Sequence, residues 1–322
     1  MDESVLVEVK SISRRFGDLD AIKNVSFSVN KGQVLGFLGP NGAGKTTTMQ
    51  IITGNLAPSS GEVMIAGHDL LDDPRPAKAA IGYLPEQPPV YTDLTVDEFL
   101  DYCAALNAIA KNERLQARET AKEKCGLTGV GRRLIGNLSK GYRQRVGIAQ
   151  AVIHMPPVVI LDEPTVGLDP IQIREIRQLI RDLGKDHAVI LSTHILPEVQ
   201  SACDYVQIIN AGELVLHDSI EGLNKHMRAA SVTVAFQKEQ DHSQLETIKG
   251  VKSIHPEGEG RIRVFHEPEI DPTQSIIEMA TANQWGLYEI RPGRVSLEEI
   301  FLELTTDEHP ESVHAEKERE AS

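Results

Sequence analysis

The segment Gly39-Pro40-Asn41-Gly42-Ala43-Gly44-Lys45-Thr46 decides the fold of this chain. The apolar run Val34 to Leu38 precedes it and predicts a buried strand, while the residues that follow, through Ile52, predict a helix. Between a strand and a helix, the pattern G-x-x-x-x-G-K-[ST] is typical of a phosphate loop, whose backbone N–H groups surround phosphate oxygens. The segment therefore predicts a nucleotide phosphate site in an α/β domain.

Two side chains at the start of the predicted helix are expected to contact the nucleotide. Lys45 would neutralise the β- and γ-phosphates, and the hydroxyl of Thr46 would coordinate Mg2+. Mg2+ and a nucleotide that carries β- and γ-phosphates are therefore the predicted ligands. The alternative interpretation, a glycine-rich structural turn, is disfavoured by the flanking strand and helix.

A second apolar run ends in two carboxylates. Val158 to Leu161 predicts a buried parallel strand, and Asp162 and Glu163 follow it directly. Ligand-binding groups of open α/β sheets lie at such strand ends. We expect Asp162 to join the Mg2+ shell and Glu163 to orient and deprotonate the attacking water. Alone, the pair would indicate only a strand-to-turn boundary, so the interpretation depends on the upstream phosphate loop.

A second helix terminus follows Leu138-Ser139-Lys140-Gly141-Tyr142. Ser139 lies near the predicted N-cap of a helix from Arg143 to Val152, which would make this terminus a potential anion site. A capped helix after a loop is the simpler interpretation of this segment alone.

Composition indicates an ordinary globular chain of more than one domain. The 322 residues are 40% hydrophobic and 25% charged, and the net charge is -14. This acidic balance disfavours broad binding to nucleic acid, and we expect none. The longest stretches without charged residues are too short and too polar to span a membrane, and the acidic start lacks the apolar run of a secretion signal. Cys103, Cys125 and Cys203 have no metal-site spacing and are expected to be reduced.

Together, these motifs resemble the nucleotide-binding subunit of ABC transporters over roughly residues 5 to 225. Gly39 to Thr47 matches the family's Walker A loop, Leu138 to Tyr142 its signature, and Asp162 with Glu163 its Walker B and catalytic glutamate. Gly167-Leu168-Asp169 matches the D-loop, which places Asp169 among the nucleotide-binding residues. His194, in Ser192-Thr193-His194, matches the switch histidine, which contacts the γ-phosphate in this family.

The resemblance implies a P-loop NTPase fold: a RecA-like α/β core with an antiparallel β region near the N-terminus and a helical subdomain at about 88–155. The ATP-binding domain would occupy residues 1–228. Short alternating strands and helices beyond it predict a small C-terminal α+β domain at 229–305, which includes a helix from Leu297 to Leu304. Residues 306–322 are acidic and lack hydrophobic periodicity, so this tail is expected to be disordered.

The resemblance also implies a head-to-tail homodimer that buries two ATP molecules. In it, Ser139 and Gly141 of one subunit contact the γ-phosphate held by Lys45 of the other. Phe16, in Arg15-Phe16-Gly17, matches the aromatic residue that stacks on adenine, although a lone Phe after a strand more often belongs to a core.

Two motifs depart from the common family pattern. In the Q-loop, where many relatives have Gln, this chain has Glu86, followed by Gln87. Glu86 is expected to ligate Mg2+ or to position water. In the signature, Lys140 and Tyr142 replace Gly and Gln, whereas the phosphate-facing Ser139 and Gly141 are retained.

The Q-loop and signature sequences of this chain resemble those of the branch of ABC ATPases that serves ABC-2-type exporters, including drug, sodium and gliding-motility-associated systems. The resemblance implies a separately encoded integral membrane permease as partner and a location at the cytoplasmic face of the membrane. Glu86 to Leu100 would hold the docking site of the permease.

A soluble ABC ATPase acting on nucleic acid or ribosomes is the alternative hypothesis. Such proteins carry a long coiled coil or two ATPase cassettes in one chain, and the sequence has neither pattern. A third alternative is an ATP-gated regulatory module with little turnover. The presence of both Glu163 and His194 argues against it.

Overall fold

The computed structural model of the protein describes residues 5–227, 231–237, 243–258, 260–267, 270–293 and 301. The chain divides into two compact units, Met1–Ile220 and Glu221–Ser322. The division falls before residue 228, where the sequence analysis ends the ATP-binding domain, so those domain bounds remain a prediction. The predicted tail at 306–322 and all of the predicted helix from Leu297 to Leu304 except Phe301 lie outside the described residues.

A six-stranded sheet forms the centre of the first unit, in the order β10-β9-β3-β8-β7-β6. The five strands from β9 to β6 run parallel, and β10 pairs antiparallel with β9 at the edge. The strands are β3 (Val34–Leu38), β6 (Ile81–Leu84), β7 (Val158–Asp162), β8 (Ala188–Thr193), β9 (Tyr205–Asn210) and β10 (Glu213–Ser219).

Both faces of this sheet are buried, which explains the uninterrupted apolar runs in its strands. Side chains alternate between the faces: in β7, Val159 and Leu161 join one core cluster, while Val158 and Ile160 join the other. The first cluster lies beneath the helical part of the chain, and the second beneath the N-terminal sheet.

A four-stranded antiparallel sheet, in the order β2-β1-β4-β5, covers the second cluster. Its strands are β1 (Val5–Phe16), β2 (Leu19–Asn30), β4 (Ser60–Ile65) and β5 (His68–Asp69). The antiparallel region that the resemblance implied is therefore present.

The helices of the first unit flank the central sheet and form the helical region between β6 and β7. They are α1 (Lys45–Ile52), α2 (Pro74–Ala79), α3 (Val96–Leu106), α4 (Arg114–Lys124), α5 (Lys140–Val152), α6 (Pro170–Gly184) and α7 (Leu196–Ala202), followed by α8 (Ile220–Met227) where the two units meet in sequence. Thr95 and Glu98 form a reciprocal capping box at the start of α3, an arrangement that the spacing T-x-x-E favours. Within the described residues, no helix has the length and apolar composition that a membrane crossing requires.

The second unit contains a four-stranded antiparallel sheet in the order β12-β13-β11-β14. Its elements are β11 (Ser231–Phe236), α9 (Ser243–Glu246), β12 (Val251–Gly258), β13 (Arg261–His266), α10 (Thr273–Ala282) and β14 (Leu287–Gly293). This succession, βαββαβ, has the split βαβ arrangement. Its core includes Phe236 and Trp285, whose rings pack edge to face at 5.4 Å.

Candidate functional site

The ends of four parallel strands bring the predicted site residues to one edge of the central sheet. Strand β3 runs into the phosphate loop, β6 into Pro85 and Glu86, β7 into Asp162 and Glu163, and β8 into His194. The strand register aligns these ends, because Leu38 lies opposite Thr193 and Asp162 opposite Ser192. Residues far apart in sequence therefore meet at the carboxyl edge, where open α/β sheets bind their ligands.

The phosphate loop requires glycine at two positions for different reasons. Gly44, at the N-cap of α1, has a φ of 108°, a conformation that residues with a side chain rarely adopt. At Gly39, a Cβ atom would lie 2.5 Å from the carbonyl oxygen of Ile209, so any side chain would collide with β9. The first intrahelical N–H bond is that from Thr48 to Gly44, which leaves the N–H groups of residues 45–47 at the helix start for an anion.

The turn between β9 and β10 holds the phosphate loop from behind. The N–H of Gly212 donates to the carbonyl of Ala43 at 3.0 Å, and the N–H of Lys23 donates to the carbonyl of Gly212 at 2.8 Å. Backbone hydrogen bonds therefore link the phosphate loop, strand β2 and this turn, and they stabilise the shape of the loop.

Lys45 projects from the start of α1 across the loop. Its Nζ donates to the carbonyls of Gly39 at 2.9 Å and Pro40 at 3.2 Å, and it lies 3.8 Å from Oε1 of Glu163. Burial lowers the pKa of Lys45, and the negative charges of Glu163 and Asp162 oppose that shift. A buried cation thus lies between the loop and the carboxylates.

Asp162 carries a carboxylate oxygen that fits a metal ligand. The residue is 1% exposed, and its Oδ1 has no hydrogen-bond partner among the described residues. Burial raises the pKa of Asp162, since the charged form loses its hydration. A cation bound to Oδ1 would remove this penalty. Mg2+ is commonly held by one or two carboxylates together with phosphate and water oxygens, so Asp162 and the hydroxyl of Thr46 fit it.

Glu163 and His194 are in direct contact. Nδ1 of His194 lies 2.9 Å from Oε1 and 3.0 Å from Oε2 of Glu163. Glu163 has a φ of 49°, in the left-handed region, and its N–H donates to the carbonyl of Ser192 at 2.9 Å. This backbone turn directs the carboxylate toward the phosphate loop, where Lys45 also reaches it.

A cavity of about 930 Å³ lies over these groups. Phe16 lies on its wall, 45% exposed, with the guanidinium of Arg14 4.7 Å from the centre of its ring. An exposed aromatic face of this kind can stack against a planar base. Of the predicted site residues, the cavity lining includes Phe16, Asn41, Gly42, Gly44, Lys45, Thr46, Thr47, Glu86, Glu163 and His194.

Glu86 lies on the rim of this cavity and is exposed. It also lines a smaller cavity of about 350 Å³, together with Lys140, Arg143 and Gln144 of helix α5. The Q-loop carboxylate thus lies between the nucleotide cavity and the helix that follows the signature segment.

Three predicted nucleotide-binding residues outside the phosphate loop do not line the main cavity. Ser139 caps α5, where its Oγ accepts from the N–H of Tyr142 at 3.3 Å. Gly141 is buried against α6, with the side chain of Gln172 in the place that a Cβ would occupy. Asp169 caps α6, accepting from the N–H groups of Ile171 and Gln172. A single chain therefore does not bring these residues together with Lys45.

Several cavity residues were missed in the sequence analysis. Asp20 and Lys23 come from the β1–β2 hairpin, and Ala211 and Gly212 from the β9–β10 turn. The alternation of apolar and polar residues in these strands could have predicted both hairpins. No local motif, however, indicates that the two hairpins meet the phosphate loop.

The loop, the buried cation and the two carboxylates define an ATPase of the P-loop class. Residues 22–166 match the ABC transporter family, and the chain is 33% identical over 299 residues to an ABC transporter ATP-binding protein of Bacillus subtilis, YxlF, covering 93% of this chain and 99% of that one. The chain therefore belongs to the ABC transporter ATP-binding protein family and is an ABC-type ATPase.

Other relatives have names that indicate transport. The bacitracin transport ATP-binding protein BcrA of Bacillus licheniformis is 31% identical, with 94% of this chain and 97% of that protein covered. NatA of Bacillus subtilis is 35% identical over 72% of this chain and 96% of its own. Among solved structures, a dimeric ATP-binding cassette with ADP and phosphate has a TM-score of 0.60 and 25% identity, covering 67% of this chain and 99% of that one.

Proposed function

We propose that this chain is the ATP-hydrolysing subunit of an ABC-2-type exporter and drives a separate integral membrane permease. The convergence of Lys45, Glu163 and His194 on one cavity supports the ATPase cycle. Export is supported by the resemblance of the Q-loop and signature to those of ABC-2-type exporters, and transport by the relative named for bacitracin transport. In this proposal, residues 1–228 form the ATP-binding domain at the cytoplasmic face of the membrane, and residues 229–305 form an accessory domain.

ATP binds with its adenine on Phe16 and its phosphates in the loop from Gly39 to Thr47. The N–H groups at the start of α1 and the ammonium group of Lys45 hold the β- and γ-phosphates. Thr46 and Asp162 would hold Mg2+, and Glu86 at the rim would supply a further oxygen ligand, directly or through water. The metal ion, when bound, neutralises charge on the phosphate oxygens.

Hydrolysis depends on Glu163 as the base. Its carboxylate accepts a proton from water while the water oxygen bonds to the γ-phosphorus and the bond from that phosphorus to the β-phosphate oxygen breaks, giving ADP and phosphate. His194 orients the carboxylate through its Nδ1 and contacts the γ-phosphate through the other edge of the ring. Lys45, already 3.8 Å from Glu163, offsets the developing charge.

The cycle requires two copies of the chain. Ser139 and Gly141 lie outside the cavity of their own subunit, so a head-to-tail homodimer is the arrangement that lets them close over the γ-phosphate held by Lys45 of the other subunit. Asp169 lies on the same closing surface. The solved dimeric relative with ADP and phosphate supports this arrangement. ATP binding closes the dimer and hydrolysis reopens it, and the permease responds to the difference between the two states.

An exposed aromatic group supports a permease site between residues 86 and 100. Tyr91 is 53% exposed and packs on Phe99 at 6.0 Å and on Tyr102 at 5.7 Å. Tyrosine is enriched at protein interfaces, because it combines a large apolar surface with a polar end.

The catalytic part of the proposal is tested with two variants. Glu163→Gln preserves shape but removes the base, so kcat should fall about 100-fold or more while ATP binding is retained and dimers accumulate. Lys45→Ala should instead weaken ATP binding about 10- to 100-fold, as expected for the loss of a charged hydrogen bond. Glu123→Gln and Lys111→Ala, at exposed positions, are the matched controls. Wild-type turnover by Glu163→Gln would reject it as the base.

The transport part is tested by mild purification of the tagged chain from native membranes. A multispanning protein recovered in stoichiometric amounts is expected, and Tyr91→Asp should reduce that recovery while leaving ATP binding unchanged. Recovery of ribosomal or DNA-repair proteins without a membrane protein would contradict the exporter assignment.

A further inference from the structure

Glu198 is a fully buried carboxylate that the sequence motifs do not single out. It lies in the first turn of α7 and is 0% exposed. Its Oε1 accepts from the hydroxyl of Thr165, and its Oε2 accepts from the hydroxyl of Thr193 at 2.9 Å. Among the side chains that the structure describes within residues 5–223, no lysine, arginine or histidine nitrogen lies within 4.0 Å of it. The carboxylate therefore depends on two hydroxyl groups rather than on a cation.

Burial of the Glu198 carboxylate costs free energy, so we expect the residue to contribute a function that offsets this cost. A carboxylate moved from water into a protein interior loses its hydration, and neutral hydroxyl donors restore only part of that loss. The N-terminal end of α7 contributes some stabilisation, since helix starts favour negative charge. A leucine at position 198 would fill a buried space without this penalty, so packing alone does not explain the carboxylate.

The two threonines connect Glu198 to both catalytic segments. Thr165 follows Glu163 by two residues, and Thr193 directly precedes His194. The hydroxyl of Thr193 also accepts from the N–H of Ile195 at 3.1 Å, so it is held at both sides. One carboxylate thus links the segment after β7 to the segment after β8.

The two linked segments hold Glu163 and His194 in a geometry that is unfavourable unless neighbouring residues stabilise it. Glu163 has a φ of 49°, which is unfavourable for a residue with a side chain unless its surroundings hold it there. Its carboxylate must also remain within hydrogen-bond distance of His194, at 2.9 Å. Small displacements of either segment would separate the two side chains or turn the carboxylate away from the phosphate loop.

We propose that Glu198 is a positioning residue that holds Glu163 and His194 in register through the hydroxyls of Thr165 and Thr193. It does not contact the nucleotide and acts on hydrolysis through these two segments. The inference rests on the proposed roles of Glu163 and His194 and adds the element that fixes their relative position.

Thr165→Val is the decisive variant, because valine keeps the branched shape of threonine and replaces the hydroxyl with a methyl group that cannot donate to Glu198. We expect kcat to fall about 10- to 100-fold, as for small misplacements of catalytic groups, with the KM and the affinity for ATP unchanged. Thr165→Ser restores a hydroxyl and should recover most of the activity. Thr53→Val is the matched control, since Thr53 is also buried but donates to Met49 in its own helix; it should leave kcat unchanged.

Two further measurements separate positioning from general stability. Thermal unfolding of each variant shows whether Thr165→Val and Thr53→Val reduce stability by similar amounts. Of the two variants, only Thr165→Val should have a reduced kcat. In the double variant Glu198→Gln/Thr165→Val, the fold loss of kcat should be smaller than the product of the fold losses in the two single variants, because both changes break the same link.

The outcomes for Glu163 and Glu198 are distinguishable. If Glu163→Gln loses turnover but Thr165→Val and Glu198→Gln keep wild-type kcat, the inference about Glu198 is wrong and the proposed ATPase mechanism stands. If Thr165→Val loses kcat and ATP affinity together, or Thr53→Val loses as much kcat, the link is structural and the positioning role is rejected. Wild-type turnover by Glu163→Gln would reject the underlying mechanism itself.

Discussion

His194 and Glu163 lie 31 residues apart in sequence, yet Nδ1 of the histidine is 2.9 Å from Oε1 of the glutamate. The contact exists because β7 and β8 are neighbouring parallel strands whose ends align. Glu163 is 8% exposed, and its carboxylate also lies 3.8 Å from Nζ of Lys45. The histidine side chain is 42% exposed toward the cavity, which leaves its other edge free to meet a phosphate.

His194→Ala should therefore reduce turnover by about 100-fold while ATP binding is largely retained, because a carboxylate without its partner rotates away from the attacking water. Steady-state ATPase assays and equilibrium binding of ATP measure the two effects. His68→Ala is the control, since His68 pairs with Asp73 near the protein surface, away from the cavity. Equal loss of turnover in both variants would contradict a specific role for His194.

Gly82 in β6 lies so close to helix α5 that no side chain fits. A Cβ there would lie 2.0 Å from the carbonyl oxygen of Ala151, which is backbone and cannot move aside. Gly82→Ala should lower the free energy of unfolding by at least about 2 kcal/mol, as overpacking does in other cores. Gly129→Ala, where a Cβ meets nothing within 4 Å, should change stability little. Urea unfolding of both variants tests the difference, and equal stabilities would contradict it.

Cys103 and Cys125 are buried thiols, and burial raises the pKa of each to about 12. At neutral pH both are protonated, and a thiol reacts with alkylating reagents only as the thiolate. We expect neither residue to be labelled in the folded protein and both to be labelled in denaturant, as peptide mass spectrometry would measure. Rapid labelling of either thiol under native conditions would contradict the buried arrangement.

His154 and His187 predict a loss of stability in mild acid. Burial lowers the pKa of both histidines below the ordinary value of 6.5. In the pH window below 6.5, the unfolded chain binds protons that the folded chain does not, so the free energy of unfolding falls as the pH decreases. Thermal unfolding from pH 7.5 to 5.5 should show this decrease, and His154→Gln combined with His187→Gln should make it shallower. An unchanged slope in that double variant would assign the acid sensitivity to other groups.

Local patterns predicted the elements that local chemistry determines. The phosphate loop, the apolar strand before Asp162 and the cap at Ser139 all depend on residues within a few positions of one another. The family resemblance predicted the larger arrangement, in which a RecA-like core is combined with an antiparallel β region and a helical subdomain. The structure then adds the contacts that depend on distant strand pairing, such as the bonds of Gly212 to Ala43 and of Glu198 to Thr165. No sequence period or motif carries that information, because each contact joins loops that meet only when the sheet has formed.

The order of the central sheet has a consequence for how the protein is made. Strand β3 leads into the phosphate loop and is synthesised well before its sheet neighbours β8 and β9, which span residues 188–210. Until those residues have been synthesised, β3 cannot take its central place and the loop has neither the β9–β10 turn behind it nor His194 beside it. Long-range pairing of this kind forms slowly and exposes apolar strands meanwhile. A nascent chain that has completed the nucleotide motif at Thr46 therefore has no ATP site until its synthesis has passed Gly212.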